Sequence, residues 1–370
     1  MKIFKKFDLK TSIILFTFPA VSFICIPIYI YYNGIVWQEP LLLLVGWILS
    51  GLGITVGYHR YFSHRSFRGN FIFEWLFMLL GTMAIQNTIL QWCSNHRLHH
   101  KKLDTDDDPY SIKEGFFHAH MGWILEQKEF AIAGVSDLKA KPAVMFQAKY
   151  YWYITILLSF VLPFGIGFLY GRPLGALLWG VMFRITLVHH FTWFINSFCH
   201  YVGHKQYDNK ISARDSWFMA LFTFGEGYHN FHHTFHWDYR NGIRWYDFDP
   251  SKWVIKFLSF FKLTYDLKVV PDFKIFKARI YSLQDKFYQL SKDYNVTEHY
   301  KLKLNEYINT SFSQIELLEN LEKKYNKIKL SSLSKNDILN FNQSKKMCLL
   351  DIKNSISSIM LMLVNIKTSN

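Results

Sequence analysis

The sequence predicts an all-α integral membrane protein, in which four transmembrane helices carry a cytoplasmic helical cap. Three observations lead to this fold class. Half of the 370 residues are hydrophobic and 19% are aromatic, which is rich for a soluble protein. These residues are gathered into runs of roughly 20, the length that crosses a bilayer. Histidines cluster just beyond the ends of the runs, where polar side chains need partners.

The net charge of +14 is typical of two classes of protein. One is a nucleic-acid binder, and the other is a membrane protein with basic cytoplasmic faces. The long apolar runs favour the second class, so we expect no nucleic-acid partner. The four cysteines lie far apart and form no Cys-x-x-Cys pair, which fits a reducing compartment.

Four apolar runs are predicted to cross the membrane, over residues of about 11–32, 40–58, 150–170 and 173–198. The first run follows a basic N-terminus, but it is long and lacks a clear cleavage site, so we expect a retained span rather than a signal peptide. A further apolar stretch, Phe71–Leu90, is interrupted by Glu74, Gln86 and Asn87. We expect this stretch to form a helix in the membrane interface or packed beneath the cap.

The positions of the histidine clusters decide this topology. With four spans, the clusters after the second span, before the third and after the fourth all reach one side of the membrane. A fifth span at Phe71–Leu90 would separate the first cluster from the second by a full bilayer. Basic residues are frequent between Arg60 and Lys149 and scarce in the short turns. The clusters and both termini are therefore expected in the cytoplasm, at a bacterial inner membrane or the endoplasmic reticulum.

The composition changes after about Pro271, where Lys, Asn, Ser, Ile and Leu become dominant. We therefore expect a membrane domain over residues 1–270 and a Lys/Asn-rich extension over residues 271–370. The extension is predicted to be helical, or partly disordered, and its role is unknown. Its apolar run from Ile356 to Ile366 is too short to span a membrane.

Nine of the 16 histidines fall into tight arrangements, and these carry the chemistry. An isolated histidine is most often a polar core residue, but clustered imidazoles near a membrane are costly unless they bind a metal. Two of the clusters have the spacing His-x-x-His-His, which places the imidazoles on one face of a helix. The nine candidate metal ligands are His59, His64, His96, His99, His100, His200, His229, His232 and His233.

Nine imidazoles are too many for one ion, but they suit two ions with four or five ligands each. Imidazole is a good ligand for iron, copper, nickel or zinc. Zinc has no redox chemistry, whereas two irons with open positions can activate dioxygen. His59 and His64 are five residues apart, which is poor alignment on an ideal α-helix, so we expect that pair at a helix end where the chain bends.

The surroundings of the clusters resemble the membrane fatty acid desaturases, specifically the acyl-CoA Δ9 (stearoyl-CoA) type, over about residues 10–265. Histidine clusters alone are shared with alkane and lipid hydroxylases, so the neighbouring residues make the resemblance specific. These neighbours are Gln86-Asn87 ahead of Trp92, the run Asp104–Pro109, Gly115-Phe116-Phe117 with Gly122-Trp123, Thr192-Trp193, Asn196–His200 and Gly225–His233.

The resemblance implies an oxygen-dependent fatty acyl desaturase that makes a cis double bond with two iron ions. It implies that one ion is held by His59, His64, His96, His100 and His233. It implies that the other is held by His99, His200, His229 and His232, with Asn196 reaching it through a water. The sequence contains no His-Pro-Gly-Gly run typical of a fused haem domain. The electrons are therefore expected from a separate donor such as cytochrome b5, or ferredoxin with its reductase.

Further residues are expected around the metals and the substrate. Glu226, Asp104 and Asp106 are candidates to orient imidazoles through their outer ring nitrogens, against the alternative of solvated surface acids. The candidate substrate contacts are Asn87, Trp92, Lys128, Trp193 and Trp47. Trp47 is the candidate gauge of acyl-chain length, and the alternative is a lipid-facing tryptophan.

Three alternatives stay open at this stage. A di-iron hydroxylase or monooxygenase would share the histidine clusters. Several basic residues that the resemblance leads us to expect for coenzyme A are replaced, by Ser94, Asn95 and Gln127, so a lipid-linked or carrier-protein-linked acyl chain is a second alternative. A metal transporter is the third, although it would need histidines within the bilayer rather than at helix ends.

Overall fold

The computed structural model describes residues 9–126, 131–294, 296–327 and 334–368, and most of these residues are helical. The predicted all-α membrane fold is confirmed. The chain divides into two compact units. Unit 1 comprises Met1–His204 and Ser212–Val269, and unit 2 comprises Lys205–Ile211 and Val270–Asn370.

Thirteen helices and one short strand pair make up the described part of unit 1. The helices are α1 Leu9–Asn33, α2 Gln38–Leu52, α3 Phe71–Thr82, α4 Ile89–Lys102, α5 Trp123–Leu125, α6 Ser136–Lys139, α7 Pro142–Ile156, α8 Leu162–Leu169, α9 Pro173–Leu177, α10 Arg184–Tyr201, α11 Trp217–Phe222, α12 His229–Thr234 and α13 Pro250–Phe260. The strands are β1 Arg68–Gly69 and β2 Thr264–Tyr265, which pair antiparallel.

Wider π-helical turns continue or join several of these helices. They are Gly53–Ser63 after α2, His118–Gly122 before α5, Leu157–Val161 between α7 and α8, and Leu178–Phe183 between α9 and α10. A short 3-10 helix covers Ile112–Glu114.

Five helical stretches are long and apolar enough to cross a membrane, judged by length and composition. They are Thr11–Asn33, Gln38–Ser63, Pro142–Leu169, Pro173–Tyr201 and Asn336–Thr368. The first four coincide with the predicted spans, although the third begins at Pro142 rather than near residue 150. Its helix starts earlier because a proline fits the first turn of a helix, where no backbone N–H donor is needed.

The Phe71–Leu90 stretch is a short helix followed by a turn, as expected for a segment that does not span. Helix α3 has only 12 residues, roughly 18 Å at 1.5 Å per residue, against about 30 Å for the bilayer core. Asn70 caps its first turn by accepting a hydrogen bond from the Phe73 amide. The helix lies tightly against the π-helical segment that continues α2, where a Cβ added at Gly53 would come within 2.3 Å of the backbone of Leu80.

The start of α4 is fixed by a buried glutamine on the third span. The Gln147 side chain accepts a hydrogen bond from the Ile89 amide at 3.0 Å and donates one to the Thr82 hydroxyl at 3.0 Å. It thereby joins the end of α3, the start of α4 and helix α7. Helix α4 carries three of the candidate ligands, so this polar contact deep in the core of unit 1 positions part of the site.

Unit 2 contains three long helices: α14 Asp272–Asp293, α15 Glu298–Lys327 and α16 Lys335–Thr368. The apolar run from Ile356 to Ile366 was expected to be too short to span, but it lies within the 34-residue α16. The buried positions of α16 include Cys348, Ile352, Ile359 and Ile366. Spacings of four and seven residues place them on one stripe, which packs in the core that α14 and α15 share.

Candidate metal centre

The first two ligand candidates lie at the end of the π-helical continuation of α2, with His59 inside it and His64 directly after it. There the backbone N–H of His64 donates to the carbonyl of His59, five residues earlier, at 3.0 Å. This wider turn brings together two side chains that an α-helix would hold apart, and their ring centroids lie 4.7 Å from each other. The expected bend at this pair is therefore a π-helical turn, a feature that is frequent at functional sites.

Two further clusters come from α4, α10 and α12. Helix α4 presents His96, His99 and His100 from its last two turns, and His200 lies in the last turn of α10. Helix α12 is short, and three of its six residues are His229, His232 and His233. The backbone amides of Asn230 and Phe231 at its start donate to the buried Asp215 carboxylate, at 2.8 and 3.1 Å.

Asp215 thus caps the helix that carries the third cluster, and its environment is unusual for a carboxyl group. Burial raises the pKa of Asp215 to about 7, although the two amide hydrogen bonds act in the opposite direction. The site is therefore anchored by an acid that titrates near neutral pH.

The nine histidines assemble into two groups. The five-histidine group contains His59, His64, His96, His100 and His232, and the four-histidine group contains His99, His200, His229 and His233. In the first group, Nε2 of His232 lies 3.0 Å from Nε2 of both His59 and His100. In the second group, Nε2 of His229 lies 3.0 Å from Nε2 of both His200 and His233.

This partition corrects the ligand sets that the resemblance implied, because His232 and His233 are exchanged between the groups. The reason is helical geometry. Side chains four residues apart are turned by only about 40°, whereas those three apart are turned by about 60° in the other direction. In α4, His96 and His100 share one group and His99 joins the other. Helix α12 repeats the pattern in reverse, with His229 and His233 together and His232 apart.

Outer ring nitrogens of three ligands are held by polar partners. Nδ1 of His59 lies 2.9 Å from the Glu226 carboxylate. Nδ1 of His99 lies 2.8 Å from the Asp108 carboxylate. Such partners fix the ring orientation and the tautomer, so that the Nε2 lone pair points inward.

The third such contact runs through a hydroxyl. Nδ1 of His200 lies 2.7 Å from the Ser212 hydroxyl, which in turn donates to Asp104 at 2.5 Å. Asp104 therefore reaches an imidazole only by way of Ser212, rather than directly as expected.

Of the three predicted acids, Glu226 directly contacts an imidazole, as expected, whereas Asp106 does not. The imidazole that Glu226 contacts is that of His59, in the π-helical segment after α2, rather than that of His229, which lies three residues after Glu226 along the chain. Asp106 is exposed and has no described contact with a histidine, so the role expected of it falls to Asp108. Asp108 stands in the same acidic run, and nothing in the local sequence ranks it above Asp106.

A buried ion-pair network supports Glu226, and this network was not predicted from the sequence. The Arg60 guanidinium donates to Glu226 at 2.9 Å and lies 2.9 Å from the Asp249 carboxylate. The Asn241 amide also donates to Glu226, at 2.6 Å. Burial alone would raise the pKa of Glu226, but the charges of Arg60 and His59 hold it below its ordinary value. The only indication in the sequence that Arg60 belongs near the site is that it directly follows the ligand His59.

The electrostatics of the two groups suit a cation. Burial and the charge of neighbouring histidines lower the pKa of His64, His96, His100, His229, His232 and His233 well below the ordinary value. The imidazoles are therefore neutral at pH 7, which is the form that binds a metal. Where Nδ1 donates outward, lone pairs on Nε2 face one another at about 3 Å, an arrangement that a cation between them relieves. The residues therefore fit two imidazole-bound metal ions.

A largely apolar cavity of about 360 Å³ opens beside the histidines. Its polar lining includes His59, His96, His229, Glu226 and Asn196. Its apolar lining includes residues from α1, α2, α10 and the α11–α12 region. The cavity has the character of a small-molecule site, in which apolar walls surround a few polar groups.

The predicted substrate residues mostly line this cavity. Asn87, Trp92, Trp193 and Trp47 all do so, whereas Lys128 lies outside the described residues. Trp47 packs against Phe224 and Phe191, with ring centroids 5.2 and 5.9 Å away. It precedes His59 on the same helix by roughly 18 Å, at 1.5 Å per residue.

Comparison with known proteins identifies relatives of this architecture. A family model described as fatty acid desaturase matches residues 36–265. A Schizosaccharomyces pombe protein named "Probable acyl-CoA desaturase" is 38% identical over 266 residues, which cover 71% of this chain and 53% of the relative. Acyl-CoA desaturase 1 of Saccharomyces cerevisiae is 37% identical over 242 residues, 64% of this chain and 48% of the relative. The chain thus spans about half the length of these two proteins.

A bacterial relative has a different named substrate. The sn-1 stearoyl-lipid 9-desaturase of Synechocystis sp. is 37% identical over 228 residues, which cover 61% of this chain and 70% of the relative. Proteins named for coenzyme A substrates and for lipid substrates are therefore about equally similar to this chain.

Proposed function

This chain belongs to the fatty acid desaturase family, and we propose that it introduces a cis double bond, at the Δ9 position, into a saturated fatty acyl chain. The proposed reaction consumes dioxygen and uses two iron ions. One observation carries the proposal: two convergent histidine groups lie at the wall of an apolar cavity. Oxidation of an unactivated hydrocarbon requires a metal centre and a pocket that holds the alkyl chain beside it, and this site offers both.

The proposed roles follow from the contacts. The five-histidine and four-histidine groups would each hold one iron, with Asn196 adding a water-mediated contact to the second. Bound there, the irons would supply the oxidising power, drawn from dioxygen and two electrons, that breaks methylene C–H bonds. Glu226, Asp108 and Ser212 keep their imidazoles in the tautomer that offers Nε2. The hydroxyl of Ser212 is itself fixed by Asp104.

The cavity residues would position the substrate and exclude water. Trp92 stacks on His96 with ring centroids 4.9 Å apart, so it closes the space beside one ligand. Trp193 is buried on α10, one turn before Ser197. These rigid walls would hold the methylene pair beside the metals and keep competing water reactions out. Trp47 would limit how far the methyl end of the chain can reach.

The acyl carrier is proposed to be coenzyme A, and a membrane lipid is the second candidate. The named relatives support both, because the yeast proteins are acyl-CoA desaturases and the Synechocystis protein is a stearoyl-lipid desaturase. Several basic residues expected for a coenzyme A group are replaced in this sequence, which favours keeping the lipid candidate. Supplying the purified enzyme with stearoyl-CoA or with a stearoyl phospholipid would decide between them.

We place the histidine groups and both termini in the cytoplasm. The support is the excess of basic residues on the segments that carry the histidines, relative to the short turns. A separate electron donor, such as cytochrome b5 or ferredoxin with its reductase, would dock on this face. Basic surface residues favour an acidic donor.

Expression in a yeast strain that lacks its own Δ9 desaturase tests the function. We expect new unsaturated fatty acids with a double bond at carbon 9, and their loss in His232→Ala. His299→Ala is the matched control, because His299 is exposed and lies in unit 2, outside both groups. Hydroxylated products in place of alkenes would instead establish a hydroxylase. Full activity of His232→Ala would refute the proposed metal centre.

A further inference from the structure

We propose that Glu114, His118 and Glu126 form a third metal site, which holds a divalent transition-metal ion such as Zn²⁺. One potential ligand atom from each of the three side chains lies within 4.8 Å of the other two. The ligand atoms within each of the two histidine groups are likewise no more than 4.8 Å apart. None of the three residues belongs to those groups, so the site does not depend on the proposed desaturation chemistry.

The state of the His118 imidazole points to a ligand. The side chain is buried, with 8% of the residue exposed. Its Nε2 atom makes no hydrogen bond with any residue in the described part of the chain. The nearest acidic atom is Oε1 of Glu114, at 3.7 Å, and Nδ1 on the other side of the ring lies 3.4 Å from Oε1 of Glu126. The Nε2 atom of this buried ring therefore faces the Glu114 carboxylate but forms no hydrogen bond with it.

These distances separate a metal site from a simple ion pair. A protonated histidine bonded to a carboxylate lies about 2.7–2.9 Å from the oxygen. Two ligands bound to one tetrahedral zinc ion, with bonds of about 2.1 Å, lie about 3.4 Å apart. One ion can bind only one of the two ring nitrogens. At Nε2, the nitrogen without a hydrogen bond, the separation of 3.7 Å from Oε1 of Glu114 is closer to the second arrangement than to a bonded ion pair, and Glu126 has one potential ligand atom within 4.8 Å of those of the other two residues. One imidazole and two carboxylates are also a donor set that zinc accepts.

The site would fasten part of the cavity wall. Glu114 ends the 3-10 helix, His118 begins the π-helical turn, and Glu126 follows α5. The segment between them carries Trp123 and Ile124, which line the cavity. An ion at this position would hold both ends of the segment, so its role is to position the wall that the substrate touches.

The test uses the purified full-length chain, loaded with iron and then exposed to excess Zn²⁺ followed by desalting. Elemental analysis is expected to find two iron ions and one zinc ion per chain. His118→Gln and Glu126→Gln are each expected to lose the zinc ion and keep both irons. Asp106→Asn, which removes an exposed carboxylate without a histidine contact, is the control and should keep all three. Zinc retained in both test variants would overturn the proposal, as would its absence from the unmodified protein.

X-ray absorption at the zinc edge provides a second readout that needs no variant. The expected first coordination shell contains one imidazole nitrogen and carboxylate oxygens. A shell made of imidazoles alone would place the zinc in the histidine groups and refute the third site. Retention of two irons, measured on the same sample, separates failure of this site from failure of the desaturase centre.

Discussion

The hydrogen bond between Asp108 and His99 supports a graded prediction about metal affinity. The Asp108 carboxylate is buried, lies 2.8 Å from Nδ1 of His99 and also accepts the Tyr110 amide at 3.2 Å. Asp108→Asn keeps an acceptor oxygen but loses the charge. Hydrogen bonds to charged groups contribute about 1.5–3 kcal/mol, against about 0.5–1.5 for neutral ones. The difference of about 1–1.5 kcal/mol corresponds to roughly 10-fold weaker metal binding.

Asp108→Ala should have a larger effect, because it leaves the imidazole and the amide without their partner. Loss of such supporting contacts costs about 10–100-fold in metal affinity or activity, and we expect the upper end for alanine. Competition with a graded series of chelators measures the affinity, and product formation is followed on the same samples. Asp106→Asn is the control and should change affinity less than twofold. Equal affinity in Asp108→Ala and the control would refute the assignment of Asp108.

Three further predictions concern the cavity, the ion-pair network and pH. Trp47→Ala should extend the cavity, so that acyl chains two carbons longer are favoured roughly 10-fold or more in product analysis, whereas the exposed Trp245→Ala should leave chain length unchanged. Arg60→Met should destabilise the protein by about 3–5 kcal/mol in thermal unfolding, because it leaves Glu226 and Asp249 buried without their cation; an unchanged midpoint would contradict this. Six ligand histidines have a lowered pKa in the folded metal-free protein. Below a pH of about 6.5 they therefore bind fewer protons in the folded protein than in the unfolded chain. The folded state should be most stable above that pH and should lose stability as the pH falls. A metal-free sample as stable at pH 5.5 as at pH 7.5 would disprove it.

The helices that are long and apolar enough to cross a membrane were predictable in unit 1, because their positions follow from the lengths of the apolar runs. The four long apolar runs predicted four helices, and the structure has a helix at each of these positions. The requirement that the three histidine clusters share one side of the membrane was the reason for not counting Phe71–Leu90 as a fifth span. Helix α16 is much longer than its apolar run from Ile356 to Ile366, because polar residues before that run extend the same helix. The length of a helix can be predicted only when both of its ends are recognised in the sequence.

Individual contacts within the site were less predictable, because they depend on how short segments turn in three dimensions. Asp104, Asp106 and Asp108 stand in one acidic run, and no local pattern ranks them. Asp104 adopts a positive φ of 60°, which turns the chain so that Asp108 enters the core while Asp106 remains exposed. Similarly, the rotation of α12 is set by its cap at Asp215, which lies 14 residues before His229 along the chain.

The division of α4 and α12 between the two histidine groups has a consequence for assembly of the centre. Each of these helices contributes ligands to both groups. An ion bound in one group therefore restrains α4 and α12, the two helices that also supply the other group. This reduces the loss of conformational entropy that binding of the second ion requires. The two binding steps are thermodynamically linked, and the linkage is reciprocal. We expect the centre to fill cooperatively, so that chains with one metal are scarce relative to chains with none or two.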